Sequence, residues 1–107
     1  MTTNNLATKL DDLIGKPLTL GNVLNSIRLC DEMTLKQFAE ILGVSVSYLS
    51  DVEHSRKLVS PKKAFDYANK LGYPTTDFIR YALQDEANSF LHSQGLHADV
   101  HLQLAAC

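Results

Sequence analysis

Residues 34–54 read TLKQFAEILGVSVSYLSDVEH, and the fold turns on them. Thr34-Leu35-Lys36-Gln37 has the form of a capping box: the threonine hydroxyl accepts from a backbone N–H while Gln37 reaches back to the first residue. A helix therefore starts at Thr34. Phe38, Ala39, Ile41 and Leu42 give it an apolar side up to Gly43, the residue that takes a left-handed helix end at least cost. Only Val44 separates that glycine from Ser45, a good N-cap, after which Leu49 and Val52 supply the inward stripe of a second helix ending near His54. The product is two short helices joined by a tight turn.

On the N-terminal side, Leu20, Leu24 and Ile27 recur at helical spacing through LGNVLNSIRLCDE, predicting a helix that ends near Met33. Before it, Leu6, Leu10, Leu13 and Ile14 form a short amphipathic stripe that stops at Gly15 and Pro17. On the C-terminal side, Ser60-Pro61 is a cap followed by proline in the first turn, and Ala64, Phe65, Ala68 and Leu71 continue a helix to Gly72. Thr75 or Thr76 caps a last helix with Phe78, Ile79, Ala82, Leu83, Ala87, Phe90 and Leu91 on its apolar face. Beyond Gly95 the pattern becomes strict alternation, Leu96, Ala98, Val100, Leu102 and Leu104 against polar neighbours, the period of a half-buried strand. The fold class expected is all-α. A leading helix and linker occupy 1–17, a five-helix domain 18–92, and a tail with the pattern of a dimerisation or partner-binding strand 93–107.

At 107 residues and 45% hydrophobic, the chain has material for one core. Its apolar runs are short and its first residues lack a basic start, so neither a membrane span nor a signal peptide is expected, and the expected location is cytoplasmic. Cys30 and Cys107 lie far apart, with no Cys-x-x-Cys pair, and read as free thiols. The net charge of −2 is unevenly spread. Residues 1–33 hold three Lys/Arg against four Asp/Glu (−1), and residues 64–107 hold two against five (−3). Residues 34–63 hold five (Lys36, Arg56, Lys57, Lys62, Lys63) against three (Glu40, Asp51, Glu53), or +2. The middle of the chain is therefore the candidate face for an anionic partner.

Two short helices, a tight turn and small polar residues at the start of the second helix are what a helix-turn-helix needs to lay that helix in the major groove of DNA. The stretch closely resembles the phage-repressor-like family of Cro and cI type, also called the XRE family. The resemblance runs over about residues 20–83. It rests on Leu20-Gly21 with Leu24, Ile27 and Arg28, on Phe38-Ala39, on Leu42-Gly43-Val44-Ser45, on Leu49-Ser50 with Val52-Glu53, and on Pro61 and Ala68 to Leu71-Gly72. It implies a structural ion pair between Arg28 and Glu53. Two departures stand out: Ser55 occupies the place where the family usually has glycine, and the link from there to Pro61 is one residue longer.

Positions 46, 47, 50, 51 and 54 project away from Leu49 and Val52, so Val46, Ser47, Ser50, Asp51 and His54 are the candidates for base contact. Serine can donate or accept, Val46 can meet a thymine methyl, and Asp51 can accept from a cytosine amino group. Thr34, Lys36, Gln37, Ser45 and Tyr48, with Arg56, Lys57, Lys62 and Lys63, lie where the family touches the DNA backbone, a positioning task.

A single unit with so few basic contacts would bind weakly and salt-dependently, which predicts a homodimer on double-stranded operator DNA. Its dimer or partner surface is expected among Phe78, Ile79, Leu83, Phe90, Leu96, Val100 and Leu102. The reading is a sequence-specific transcriptional regulator, a homodimeric repressor. The alternatives are the antitoxin of a toxin-antitoxin module that represses its own operon, with a toxin as partner, or a protein-interaction module that uses the C-terminal strand instead of DNA. His97-x-Asp99-x-His101 puts three ligand types on one side of a strand but reads as a wet strand face, so no metal is expected. Asp11-Asp12 and Asp85-Glu86 read as solvated helix positions. With no Walker, Rossmann, His-Glu-x-x-His or Gly-x-Ser-x-Gly pattern, neither an enzyme nor a cofactor is expected.

Overall fold

The computed structural model describes residues 19–95, and over them the chain forms five α-helices. These are α1 (Leu20–Cys30), α2 (Leu35–Leu42), α3 (Val46–Glu53), α4 (Pro61–Leu71) and α5 (Thr75–Ser93). No strand occurs among the described residues. The leading helix, the alternating tail with Leu96, Val100 and Leu102, and the His97-Asp99-His101 pattern lie outside them.

Each helix is closed by local chemistry. Thr19 accepts from the Asn22 N–H at the start of α1. Thr34 and Gln37 form the full capping box of α2, Ser45 accepts from the Tyr48 N–H in α3, and Ser60 accepts from the Lys63 N–H in α4. Gly43 (φ 74°) ends α2 in the left-handed region, which lets Val44 N–H and Gly43 N–H both return to the Ala39 carbonyl and turns the chain at once into α3.

Two boundaries differ from the sequence reading. α1 stops at Cys30, three residues short of Met33, because Glu32 adopts φ 54° and Met33 N–H folds back to the Arg28 carbonyl. α5 takes its cap from Pro74 and neither Thr75 nor Thr76: Pro74 is extended, offers only its carbonyl, and makes no side-chain cap.

The core is one cluster centred on Phe38 and Phe78. α1 contributes Leu20, Val23, Leu24 and Ile27; α2 Phe38, Ala39 and Leu42; α3 Leu49 and Val52. Ala64 and Ala68 of α4 and Ala82 of α5 have no exposure, and side chains this small allow packed helices to approach closely. Ile41 and Phe65, read from sequence as inward, are exposed. Each sits one position off an i, i+3, i+4, i+7 stripe: 35, 38, 39, 42 in α2 and 64, 67, 68, 71 in α4, where Tyr67 is the buried aromatic.

α3 is set against α1 by an unusually short approach. A Cβ at Gly21 would overlap the Val52 carbonyl oxygen and lie 3.1 Å from its carbon, so the N-terminal turn of α1 passes directly over the last turn of α3. No helix among the described residues is long and apolar enough to cross a membrane.

Candidate nucleic-acid interface

The buried side chains that fasten α3 to the rest of the molecule are Leu49, Val52 and Glu53, with Tyr48 packed at the edge of the core. Glu53 is a carboxylate in an apolar setting, and such a group survives only with its bonds satisfied. Arg28 of α1 supplies them, with Nε 2.9 Å from Oε2 and Nη2 3.0 Å from Oε1, while Asn25 Nδ2 donates to Oε1 at 2.8 Å. A third nitrogen, Arg28 Nη1, donates to the Met33 carbonyl at 3.1 Å and so ties down the turn into α2. Arg28 and Glu53 thus act on the angle at which α3 leaves the core.

The opposite face of α3 carries Val46, Ser47, Ser50, Asp51 and His54. Val46, Ser47 and His54 are exposed, and Ser50 and Asp51 half-buried. His54 Nδ1 lies 2.8 Å from the Ser50 carbonyl. A carbonyl only accepts, so the proton sits on Nδ1 and the outer nitrogen is left for another partner. The carboxylate of Asp51 is engaged by its own chain: Arg56 Nε donates to Oδ1 at 2.8 Å and Lys57 Nζ is 3.7 Å from Oδ2. The Arg56 hydrogen bond first, and the Lys57 charge with it, hold that carboxyl below the usual range.

Beside this face is a cationic site that only the fold assembles. Lys57 from the loop and Lys63 from the first turn of α4 both stand over the ring of Tyr48, at 5.7 and 4.8 Å from its centroid. Tyr67 of α4 is buried near Tyr48, and its phenol is pushed above its ordinary range by burial and then by Tyr48. Three of the nine residues assigned to the DNA backbone are brought together here. Lys36 and Lys62 are exposed, as are Thr34, Gln37 and Ser45, whose side chains serve as helix caps. Gln37 caps with Oε1, which leaves its amide N–H groups outward.

Residues 27–78, from the last turns of α1 to the first turn of α5, match the family model described as helix-turn-helix. They are a helix-turn-helix domain of the Cro/cI type. No curated protein and no solved structure matched the chain. The family is one of DNA-binding transcription regulators, and the chain is a regulator of that kind.

Within this helix-turn-helix domain the loop after α3 answers both departures from the family pattern. Ser55 takes φ 61°, the left-handed conformation that a glycine would adopt more cheaply. The turn is then closed by Arg56 N–H and Lys57 N–H, which both donate to the Asp51 carbonyl, and Val59 returns the chain to the core.

Two expectations need correction. Phe78, expected on a dimer or partner surface, is in the centre of the domain's core, while Ile79 and Leu83 are half-buried and Phe90 is 63% exposed. Asp85, expected to be solvated like Glu86, is half-buried and accepts from the Leu20 N–H at 2.9 Å, joining α5 to the start of α1. Burial pushes its carboxyl up to about 6, against the downward pull of that N–H. Asn25 and Lys70 carry structural roles that no sequence pattern signals. Lys70 Nζ donates to the Leu42 carbonyl at 3.0 Å and so closes the end of α2 from α4.

Proposed function

We propose that the chain is a homodimeric repressor that reads a near-palindromic operator with α3 in the major groove. The observation that carries the reading is the pairing of a small polar face on α3 with the Lys57–Tyr48–Lys63 site at its flank. Ser47 and Ser50 face the base edges, with Val46 against a thymine methyl and His54 at the end of the helix. Lys57, Lys62 and Lys63 neutralise phosphates on one side, and Thr34, Lys36, Gln37 and Ser45 at the two helix starts hold the other. Two copies joined through the outer face of α5, around Ile79, Leu83 and Phe90, set two reading helices about one DNA turn (~34 Å) apart. Covering a promoter then represses it.

A second reading is the antitoxin of a two-gene module, which represses its own operon while a terminal segment blocks a toxin. The alternating pattern from Leu96 to Leu104 favours it, since such a segment can add a strand to a partner's sheet. The same segment could serve an interaction module that does not bind DNA. Deleting residues 96–107 separates these. Loss of partner binding with DNA binding intact marks an appended interaction strand, and loss of dimer and DNA binding together marks a regulator that dimerises through its tail.

The primary test is a mobility-shift assay on the DNA upstream of the chain's own gene. Ser47→Ala/Ser50→Ala is expected to relax sequence preference, and Lys62→Ala/Lys63→Ala to weaken binding evenly across sequences with a shallower salt slope. Failure of the intact protein to shift any upstream DNA would overturn the repressor reading.

A further inference from the structure

Asp51 faces outward from α3, yet its carboxylate already holds Arg56 and Lys57. The loop does not need those side-chain contacts, because the Arg56 and Lys57 backbone N–H groups close it on the Asp51 carbonyl by themselves. Nor are the contacts sealed: the Asp51 side chain is 29% exposed, and ion pairs that open to solvent cost little to break. Their effect on an approaching phosphate is larger. At separations well inside the Debye length, the Asp51 charge cancels one of the two positive charges that this loop carries.

We propose that Asp51 is a specificity-determining residue that makes phosphate attraction depend on the base read. Against a cytosine amino group, the carboxylate exchanges its two cations for the base, and Arg56 and Lys57 are both released to the DNA backbone. Guanine and thymine present acceptors in the major groove, so there the carboxylate has nothing to accept from and keeps one of its two loop cations on itself and off the phosphates. Guanine or thymine in the place of cytosine is therefore penalised twice, by the lost hydrogen bond and by a phosphate contact that does not form, whereas adenine, which also carries an amino group there, is penalised less. This rests on α3 being the major-groove helix.

The test uses the full chain and measures affinity against salt on two probes: a random-sequence duplex about two helical turns long, and duplexes enriched from that random pool by the intact protein. Each phosphate neutralised adds about 0.9 to the slope of log affinity against log salt. The intact protein is expected to show a slope steeper by about 0.9 on enriched DNA than on random DNA, and to lose roughly tenfold when a contacted cytosine becomes thymine. In Asp51→Asn, affinity for random DNA should rise several-fold and its slope steepen by about 0.9, so that the two slopes converge and the cytosine preference fades. Asp51→Asn/Arg56→Gln should return the slope on random DNA to that of the intact protein. If Asp51→Asn instead weakens both probes with unchanged slopes, the carboxylate only staples the loop and the proposal fails. Equal slopes for the intact protein, or binding without enrichment of any site, overturn it without a variant. No binding to random DNA at low salt overturns the major-groove reading along with it.

Discussion

Replacing Arg28 by leucine removes the partner of a carboxylate whose side chain is 2% exposed, and the structure fixes the scale of the damage. Glu53 loses the donors on Arg28 Nε and Nη2 and keeps only Asn25 Nδ2. Stranding one member of a buried pair costs about 3–5 kcal/mol. The lower end applies here, because Arg28 is 15% exposed and water can approach from its side. A loss of about 3 kcal/mol against a total of about 5–15 kcal/mol is severe for so small a domain. At about 4–8 °C per kcal/mol, Tm should fall by roughly 12–24 °C. Arg28→Leu/Glu53→Leu removes the stranded charge and should recover about 2 kcal/mol of that loss, the remainder including the bond from Nη1 to the Met33 carbonyl. Thermal and urea unfolding followed by far-UV circular dichroism measure all three proteins. A loss under about 1 kcal/mol for Arg28→Leu, or additive effects in the double variant, would show that the pair behaves as a solvated surface contact and that the burial argument is wrong.

Gly21→Ala drives a methyl group into the Val52 carbonyl oxygen, and backbone cannot swing aside as a side chain can. The overlap costs about 1–3 kcal/mol, offset by about 0.5–1 kcal/mol of helix preference, so urea unfolding should show a net loss and mobility shifts a weaker complex as α3 is displaced. Ser55→Gly relieves a left-handed backbone and should stabilise the fold by about 0.5–1 kcal/mol, read as a higher urea midpoint. The Asp85 carboxyl titrates near 6 in the folded protein and near 3.8 when unfolded, so between those values the native state holds the extra proton and stability falls as pH rises. The span is worth about 1–3 kcal/mol, at the lower end because the group borders solvent, and Asp85→Asn should flatten that part of the stability profile.

Signals confined to a few neighbouring residues are legible in the sequence itself. Thr34 with Gln37, Gly43, Ser45 and Ser60-Pro61 punctuate the helices by local chemistry alone, and they lie where the chain starts and stops its helices. Periodicity is less sharp for single residues: Ile41 and Phe65 are apolar but one position off their stripes, and composition cannot weigh angle against hydrophobicity. Asp85 shows the converse. It takes the i+7 place of the stripe Phe78, Tyr81, Ala82, Asp85, so periodicity marks it as inward while its charge argues otherwise. What decides the matter is the Leu20 N–H sixty-five residues away, which no local pattern reveals. The same holds for the site: the outward face of α3 follows from spacing within one helix, whereas the meeting of Lys57 and Lys63 on Tyr48 depends on how a loop and a later helix return.

The way α3 is fastened also bears on how such a protein can change its target. Leu49, Val52 and Glu53 are the buried side chains of the helix and Tyr48 packs against the edge of the core, whereas Val46 and Ser47 on the other side are exposed and hold no part of it. Substitutions at exposed positions of this kind usually stay within about 0.5 kcal/mol of the parent stability. New combinations at Val46 and Ser47 are therefore nearly neutral for folding, and lineages or designers can sample target sequences there one residue at a time. Asp51 is outside that freedom, since any replacement other than glutamate also resets the charge of the loop behind it.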